Sequence, residues 1–399
     1  MGAKIIATGK SLPQLNITND EMSHLVETDD EWISSRTGIR SRRIATNLTS
    51  LDMAYTACAQ AFGKELDQAA VEVRTFGQTG LSPESIDLIL FATITPDSIV
   101  PAMACNLREQ LGCTNAIAFD INAACSGFVY ALSVAESMMR ASQDPSGCAT
   151  RPIHRALIVC SERLTRLVDW QDRNTCVLFG DGAGACVLEW CEGADGVLSC
   201  YLQNEDDTDR ALTCPNGYGA LLPLDTDGVV FDDGLRETIY PDGVDPKNVD
   251  YRYIHDLGVV ADPGKGAIDE YLDLPTPLPE GAPREVIRMD GKRIFTFASK
   301  ILCADIEQAL EMAHLTIDDV AFIVPHQANE RIIKFAAKRL GVDLDMFQLS
   351  ITDCGNTSSA SVPMALTDAL LDAGLKEGDV IVVVAFGGGL TSGAAVIRL

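Results

Sequence analysis

The stretch at residues 120–130, Asp-Ile-Asn-Ala-Ala-Cys-Ser-Gly-Phe-Val-Tyr, organises the predicted fold. It predicts the end of a strand, a tight turn of small residues and the start of a helix, with Cys125 where that helix begins. A helix N-terminus carries positive partial charge and unpaired N–H groups. It therefore favours a thiolate at Cys125 and can stabilise an oxyanion beside the sulfur. Taken alone, the residue is better interpreted as a buried structural cysteine, and the case for a nucleophile depends on two later segments.

The composition limits the class of protein. The chain has 399 residues, 47% of them hydrophobic, which suits one large domain or two closely packed ones. It has no apolar run of about 18 residues, so no membrane span is expected. Its 13 cysteines are scattered, which predicts free thiols in a reducing cytoplasm and no metal site. The net charge of −26 argues against nucleic acid and anionic membranes as partners.

Hydrophobic periodicity predicts an α/β protein. A helix is expected around Trp32, ending at Gly38. Residues 203–286 are rich in Asp, Pro and Gly with weak periodicity, and we expect only short elements there. The other predicted elements are a helical region at 51–77; strands at 87–93, 116–120 and 155–160; paired strands within 176–189; helices at 101–111, 327–340 and 359–373; a helix after residues 288–292 that runs to about 313; and strands at 320–325, 379–386 and 392–398.

Three stretches of the first half recur in the second half in the same order. Residues 81–89 resemble 315–323, residues 120–131 resemble 350–365, and residues 179–184 resemble 386–391. We interpret them as two copies of a βαβ-rich unit that must pack together to bury their sheets. The predicted halves are 1–200 and 201–399, with an insertion at about 203–286. A pseudo-two-fold axis would bring the two helix N-termini, and with them Cys125, His326 and Asn356, into one pocket.

Two later segments supply partners for the cysteine. His326 follows a predicted strand and precedes a helix, at the sheet edge where α/β proteins bind ligands. Asn356 lies in a Gly-Asn-Thr-Ser-Ser turn ahead of a helix. A packing histidine and ordinary turn chemistry are the alternative interpretations.

Taken together, these motifs resemble the β-ketoacyl-[acyl-carrier-protein] synthase III family of the thiolase superfamily. The resemblance spans nearly the whole chain outside 142–152 and 203–286. The matching segments are Trp32 to Arg40, Ala-Ala-Cys125-Ser-Gly-Phe, Asp169 to Arg173, Phe179 to Ala185, Pro325 to Arg331, Gly355 to Pro363 and Ala385 to Gly393. It implies a thiolase-like fold with a layered αβαβα core and a cytoplasmic homodimer without a cofactor.

The resemblance also implies the reaction and the roles of site residues. Cys125 would take an acyl group from acyl-CoA, and His326 and Asn356 would support decarboxylation of malonyl-acyl-carrier protein in a Claisen condensation that initiates fatty acid synthesis. Gly388 would join the oxyanion hole and Phe386 would pack beside the sulfur. The implied CoA contacts are Trp32, Arg36, Thr37 and Arg173.

Some expectations stay open. A basic helix face of Arg331, Lys334 and Lys338 is predicted to dock the acidic carrier protein, with Ile332, Phe335 and Ala336 turned toward the core. The segment with Arg40, Arg42 and Arg43, or the insertion, is the alternative docking surface. A related condensing or acyl-transferring enzyme of specialised metabolism, and a catalytically silent scaffold, are the alternative functions.

Overall fold

The structure is a computed structural model that describes residues 2–64, 71–144, 146, 151–193, 196–214 and 286–399. Contacts divide the chain into one compact unit of residues 1–206 and 291–399 and a second unit of residues 207–290. In the second unit the described residues form a short antiparallel pair, Leu212–Thr213 with Arg288–Met289. Most of the predicted insertion, 215–285, lies outside the described residues.

Both helices and strands occur throughout the described residues. The helices are α1 (Asn19–Met22), α2 (Asp30–Thr37), α3 (Ser50–Ala59), α4 (Met103–Leu111), α5 (Gly127–Ser142), α6 (Gly291–Met312), α7 (Glu330–Leu340), α8 (Ile351–Cys354) and α9 (Ser361–Asp372). The strands are β1 (Gly2–Pro13), β2 (Asn16–Thr18), β3 (Ser41–Arg43), β4 (Val71–Gly77), β5 (Leu88–Ala92), β6 (Ile117–Ile121), β7 (Arg155–Arg163), β8 (Asp181–Cys191), β9 (Gly196–Asn204), β10 (Leu212–Thr213), β11 (Arg288–Met289), β12 (Val320–Pro325), β13 (Val380–Gly387) and β14 (Thr391–Arg398).

Two sheets carry the larger unit. The first has six strands in the order β4-β1-β8-β7-β5-β6, and the second has four in the order β12-β13-β14-β9. In the first sheet β5 runs parallel to both β6 and β7, so the carboxyl ends of these strands share one edge. In the second sheet β12 runs parallel to β13. Cys125 follows β6 and His326 follows β12, so both lie just beyond strand carboxyl ends.

Three apolar cores separate five layers. The central core packs α5 and α9 between the two sheets, with side chains such as Leu132, Leu366 and Val383 fully buried. A second core places α3 and α4 on the outer face of the first sheet, and a third places α6 and α7 on the outer face of the second. This order of helix, sheet, helix, sheet and helix confirms the predicted layered αβαβα fold.

Most predicted elements are present, and two predictions were wrong. Residues 71–77 form strand β4, which pairs with β1, although a helical region was predicted. Residues 176–189 hold one strand, β8, where paired strands were predicted. The predicted boundary at residue 200 lies within β9, which pairs with β14 of the second sheet. The division into two halves therefore stays a proposal.

Candidate active site

Cys125 lies in a one-turn 3-10 segment, Ala124–Ser126, that leads directly into helix α5. Ala124 has φ of +46°, a left-handed conformation that turns the chain sharply between β6 and the helix. The side chain of Cys125 is buried. The predicted position of the thiol ahead of a helix N-terminus is therefore present.

The Asn356 loop repeats this local geometry. Ser358 has φ of +51° and opens a second 3-10 turn, Ser358–Ala360, that leads into helix α9. The side chain of Asn356 accepts a hydrogen bond from the Ser358 N–H at 2.9 Å, which holds the turn. Both copies of the sequence repeat thus place a tight turn with one left-handed residue ahead of a central helix.

The two turns meet at the sulfur of Cys125. The Ser358 hydroxyl lies 3.3 Å from Cys125 Sγ. A Cβ built on Gly387 would lie 2.7 Å from the Cys125 amide nitrogen, so only glycine lets the end of β13 approach so closely. Cys125 is therefore enclosed by the Asn356 loop and by the loop that follows β13.

His326 reaches the same cluster from the end of β12. It is buried, and its Nδ1 lies 2.6 Å from the Ser361 hydroxyl at the start of α9. Its ring meets the Phe386 ring edge-on, with centroids 5.2 Å apart. Phe386 is buried and directly precedes Gly387, so the contacts connect His326 to the surroundings of Cys125.

The hairpin that carries Gly388 is fixed to the cysteine turn by Thr391. The Thr391 hydroxyl lies 3.1 Å from the carbonyl oxygens of Ala123 and Gly388 and from the Ser126 hydroxyl. The Ser126 hydroxyl in turn donates to the Thr391 carbonyl at 3.2 Å. These bonds hold the glycine loop against the Cys125 turn.

Burial keeps both ionisable groups neutral. It raises the pKa of Cys125 to about 11, while the hydrogen bond from Ser358 acts in the opposite direction. It lowers the pKa of His326 to about 3. Desolvation therefore acts against the thiolate that the helix N-terminus was expected to favour.

Glu162 is a buried acid beside the cluster that the sequence analysis missed. Its carboxylate accepts from the hydroxyls of Thr95 and Ser359, both at 2.6 Å, and from Thr93 at 3.1 Å. The Ile94 N–H adds a further bond at 3.2 Å. Burial raises the pKa of Glu162 to about 6, although these bonds act to lower it. Glu162 thus ties β5 and β7 to the Asn356 loop.

The residues predicted to contact CoA divide into two kinds. The guanidinium groups of Arg36 and Arg173 lie 4.6 Å and 5.0 Å from the centre of the Trp32 ring. This aromatic and cationic group lies at the surface. Thr37 differs, because its hydroxyl donates to the Ile33 carbonyl at 2.7 Å and accepts from the Ile39 N–H at 3.0 Å. Its hydrogen bonds therefore serve the end of α2.

The basic face of α7 is exposed, but it differs from the expected face in two residues: Lys334 is paired with an acid, and Phe335 is exposed. Lys334 pairs with Glu330 at 2.9 Å, and the Arg331 guanidinium lies 5.4 Å from the Phe295 ring. Lys338 is exposed. Phe335 was expected in the core but is 42% exposed, so this prediction was wrong.

The alternative docking segment loses one member. Arg42 is fully buried, with its guanidinium donating to Asn19 and to the carbonyls of Ile17 and Val177. Burial lowers the pKa of Arg42 to about 10. Arg42 therefore supports the interior and is inaccessible to a partner.

The part of the chain that the structure describes holds neither a membrane-spanning helix nor a metal-binding cluster. Across residues 2–64, 71–144, 146, 151–193, 196–214 and 286–399, no helix is long and apolar enough to cross a membrane. Within the same ranges, no group of three or more His, Cys, Asp or Glu side chains is arranged to hold a metal ion.

Comparison with known proteins identifies the family. Residues 119–205 match the family model 3-oxoacyl-[acyl-carrier-protein (ACP)] synthase III, and residues 310–399 match the model of its C-terminal part. The β-ketoacyl-[acyl-carrier-protein] synthase III of Clostridium perfringens (strain SM101 / Type A) is 37% identical over 401 residues, which cover 100% of this chain and 99% of the relative.

Solved structures give the same result. The crystal structure of 3-oxoacyl-[acyl-carrier-protein] synthase III from Aquifex aeolicus VF5 has a TM-score of 0.75 and 32% identity over 100% of both chains. The priming β-ketosynthase from the R1128 polyketide biosynthetic pathway has a TM-score of 0.75 and 28% identity over 100% of this chain and 96% of its own. This chain belongs to the β-ketoacyl-[acyl-carrier-protein] synthase III family.

Proposed function

We propose that Cys125 is the acylated nucleophile of a decarboxylating Claisen condensation, with His326 and Asn356 as its partners. The observation that supports this most directly is the meeting of two helix-start turns at Cys125 Sγ, with Ser358 at 3.3 Å. The chain is an acyltransferase of the 3-oxoacyl-[acyl-carrier-protein] synthase III type. It condenses a short acyl-CoA with malonyl-acyl-carrier protein to 3-oxoacyl-acyl-carrier protein, the step that initiates fatty acid synthesis.

In the first half-reaction Cys125 attacks the acyl-CoA thioester. Burial raises the pKa of its thiol, so the thiol proton leaves as the sulfur bonds to the carbonyl carbon, and a proton is taken up by the departing CoA sulfur. The Cys125 N–H and the Gly388 N–H hold the tetrahedral oxyanion, and CoA leaves as the thiol. Loss of one such donor costs about 3–4 kcal/mol of transition-state stabilisation.

In the second half-reaction malonyl-acyl-carrier protein enters, and its thioester carbonyl receives hydrogen bonds from His326 and Asn356. The C–C bond to the carboxylate breaks and CO₂ leaves. The electron pair of that bond stays on the thioester fragment, which becomes an enolate. The enolate carbon then attacks the acyl-cysteine carbonyl and displaces the Cys125 thiolate. Asn356 suits this task because Ser358 N–H already occupies its Oδ1, which leaves the Nδ2 end to donate.

The nucleotide end of CoA is proposed to bind at Trp32, Arg36 and Arg173. An aromatic ring flanked by two guanidinium groups can stack an adenine and pair with phosphates. Thr37 supports the end of α2 that carries Arg36. We therefore propose that Thr37 lies beside the CoA site without binding CoA itself. Asn329, close after His326, donates to the Arg36 carbonyl at 3.0 Å, which links this surface to the catalytic cluster.

The carrier protein is proposed to dock on the exposed face of α7. Arg331 and Lys338 place positive charge on this face. The chain as a whole has a net charge of −26 and would otherwise repel an acidic partner. Lys334 is already paired with Glu330 and contributes less. Phe335, 42% exposed between them, adds an apolar contact at the centre of this face.

A cytoplasmic homodimer is proposed on two observations. Strand β6 is the last strand of the first sheet and carries Ile117, which is 37% exposed; in the segment ahead of α4, Ile99 and Val100 are 59% and 86% exposed. An edge strand beside exposed apolar side chains is suited to pairing with a second copy. Light scattering that gives the monomer mass of 42.8 kDa at working concentration would exclude the dimer. Free buried thiols at Cys58 and Cys160 fit a reducing compartment.

One experiment tests the function. The protein is incubated with a panel of acyl-CoAs and the mass added to the Cys125 peptide is measured, with Cys125→Ser as control. Malonyl-acyl-carrier protein is then added, and 3-oxoacyl product and CO₂ are measured. No added mass supports the silent scaffold, and labelling without condensation supports an acyl-transferring enzyme. The similarity to the R1128 priming β-ketosynthase makes the choice of acyl-CoA panel important.

A further inference from the structure

We propose that Ser361 is a positioning residue that fixes the tautomer of His326, so that His326 presents Nε2–H to the substrate carbonyl. The inference rests on the proposed role of His326. The Ser361 hydroxyl lies 2.6 Å from His326 Nδ1. Both residues are almost completely buried, at 1% and 2% exposure, so water does not compete for this bond.

The direction of this hydrogen bond follows from the other partners of Ser361. A hydroxyl carries one proton and two acceptor sites. The Gln327 N–H points to Ser361 Oγ at 3.4 Å and occupies one acceptor site. Among the described residues His326 Nδ1 is the other partner of this hydroxyl. If Ser361 accepted a proton from Nδ1–H, its own buried hydroxyl proton would have no acceptor among them, so the Ser361 proton is donated to Nδ1. A neutral imidazole that accepts at Nδ1 carries its own proton on Nε2.

The surroundings keep this arrangement rigid. The Gln327 side chain accepts from the Ser350 and Ile351 amides at 2.8 Å and 3.1 Å and donates to the Pro325 and Gln348 carbonyls at 2.8 Å and 3.0 Å. These four bonds fix the backbone that presents its N–H to Ser361.

The ring itself is fixed at two further points. The His326 amide donates to the Val384 carbonyl at 2.7 Å, and Phe386 packs against the ring. The ring plane is thus set by packing and the proton position by Ser361. The opposite tautomer would leave Nε2 as an acceptor, which cannot stabilise an enolate oxygen.

The test combines ¹⁵N NMR of histidine-labelled protein with half-reaction kinetics for wild type and Ser361→Ala. Wild-type His326 should show an unprotonated Nδ1 and a protonated Nε2 between pH 6 and 8. Ser361→Ala should show a mixture of tautomers. Its decarboxylation kcat should fall about 10-fold, with KM for malonyl-acyl-carrier protein and the rate of Cys125 acylation little changed. Ser11→Ala, at a buried serine whose hydroxyl has no partner among the described residues, is the matched control.

The outcomes separate the inference from the function beneath it. A wild-type spectrum with Nδ1 protonated overturns it without any variant, which covers a Ser361→Ala protein that does not fold. Wild-type tautomer and kinetics in Ser361→Ala also overturn it, as does an equal loss in both half-reactions with the tautomer unchanged. If His326→Ala decarboxylates normally, the proposed role of His326 fails, while the tautomer assignment is still decided by the spectrum.

Discussion

The acidity of Cys125 should depend on one hydroxyl from the other half of the chain. Ser358 lies 3.3 Å from Cys125 Sγ and opposes the burial that raises the pKa of the thiol to about 11. A hydrogen bond to a charged group contributes about 1.5–3 kcal/mol. Because about 1.4 kcal/mol corresponds to one pKa unit, Ser358→Ala should raise the pKa of Cys125 by about one to two units. The thiolate fraction at pH 8 should then fall about 10- to 100-fold.

The assay is alkylation of Cys125 by iodoacetamide as a function of pH, followed by the mass of the Cys125 peptide. Ser358 has φ of +51°, so alanine there also adds backbone strain. Ser358→Gly removes the same hydroxyl without that strain and is the matched variant. Both variants should react more slowly by a similar factor. Wild-type alkylation rates in Ser358→Gly would refute the reasoning and assign any effect of alanine to the backbone.

Four other perturbations have defined outcomes. His326→Ala should keep Cys125 acylation but lose CO₂ release from malonyl-acyl-carrier protein about 100-fold; equal loss of both would mean that His326 activates the thiol. Trp32→Ala should raise KM for acyl-CoA about 10-fold at unchanged kcat, since stacking on a base contributes about 1–3 kcal/mol; unchanged KM would contradict the CoA site. Arg331→Glu with Lys338→Glu should raise KM for malonyl-acyl-carrier protein and spare acylation; unchanged carrier kinetics would place docking elsewhere. Burial raises the pKa of Glu162 to about 6, so between about pH 4.5 and 6 the folded protein binds more protons than the unfolded chain, and the stability that Glu162 contributes below pH 4.5 is lost as the pH rises through 6. In urea titrations, the free energy of unfolding of Glu162→Gln should therefore change by about 2 kcal/mol less than that of the wild type across this window. Parallel curves for the two proteins would contradict the raised pKa.

The fold was largely predictable because its helices and strands carry clear hydrophobic periodicity. The two wrong predictions of secondary structure, at 71–77 and 176–189, have local causes. Residues Val71–Gly77 form a short edge strand with alternating side chains. The prediction extended the preceding helical pattern over this segment. Paired strands were predicted within 176–189, but Gly182 and Gly184 do not form a turn there. They instead lie within β8, where a Cβ on Gly184 would be 2.8 Å from Pro363 Cγ, so the glycines allow α9 to pack on the sheet.

The site was predictable only where a motif marks it. Cys125, His326 and Asn356 each stand in a recognisable loop. Ser358 approaches Cys125 across 233 residues of sequence, and no local pattern indicates which of the neighbouring serines faces the sulfur. Glu162 was equally hard to predict, because burying a carboxylate on a strand is unfavourable unless hydrogen-bond donors satisfy it. The four donors that do so come together only in the folded structure.

The contacts at the site indicate how it handles charge. Burial holds Cys125 and His326 neutral, and no described basic side chain pairs with either. In the proposed reaction, negative charge must nevertheless appear on sulfur, on the oxyanion and on the enolate oxygen. In a dry interior it can be met only by dipoles that are already oriented, which here are two helix starts, backbone N–H groups and the side chains of Ser358 and Asn356. A fixed cation that stabilised the malonyl carboxylate as much as the enolate would leave the barrier to loss of CO₂ unchanged. Donors aimed at the thioester oxygen instead favour the state in which charge has moved there, and a neutral His326 that donates from Nε2 would be such a donor.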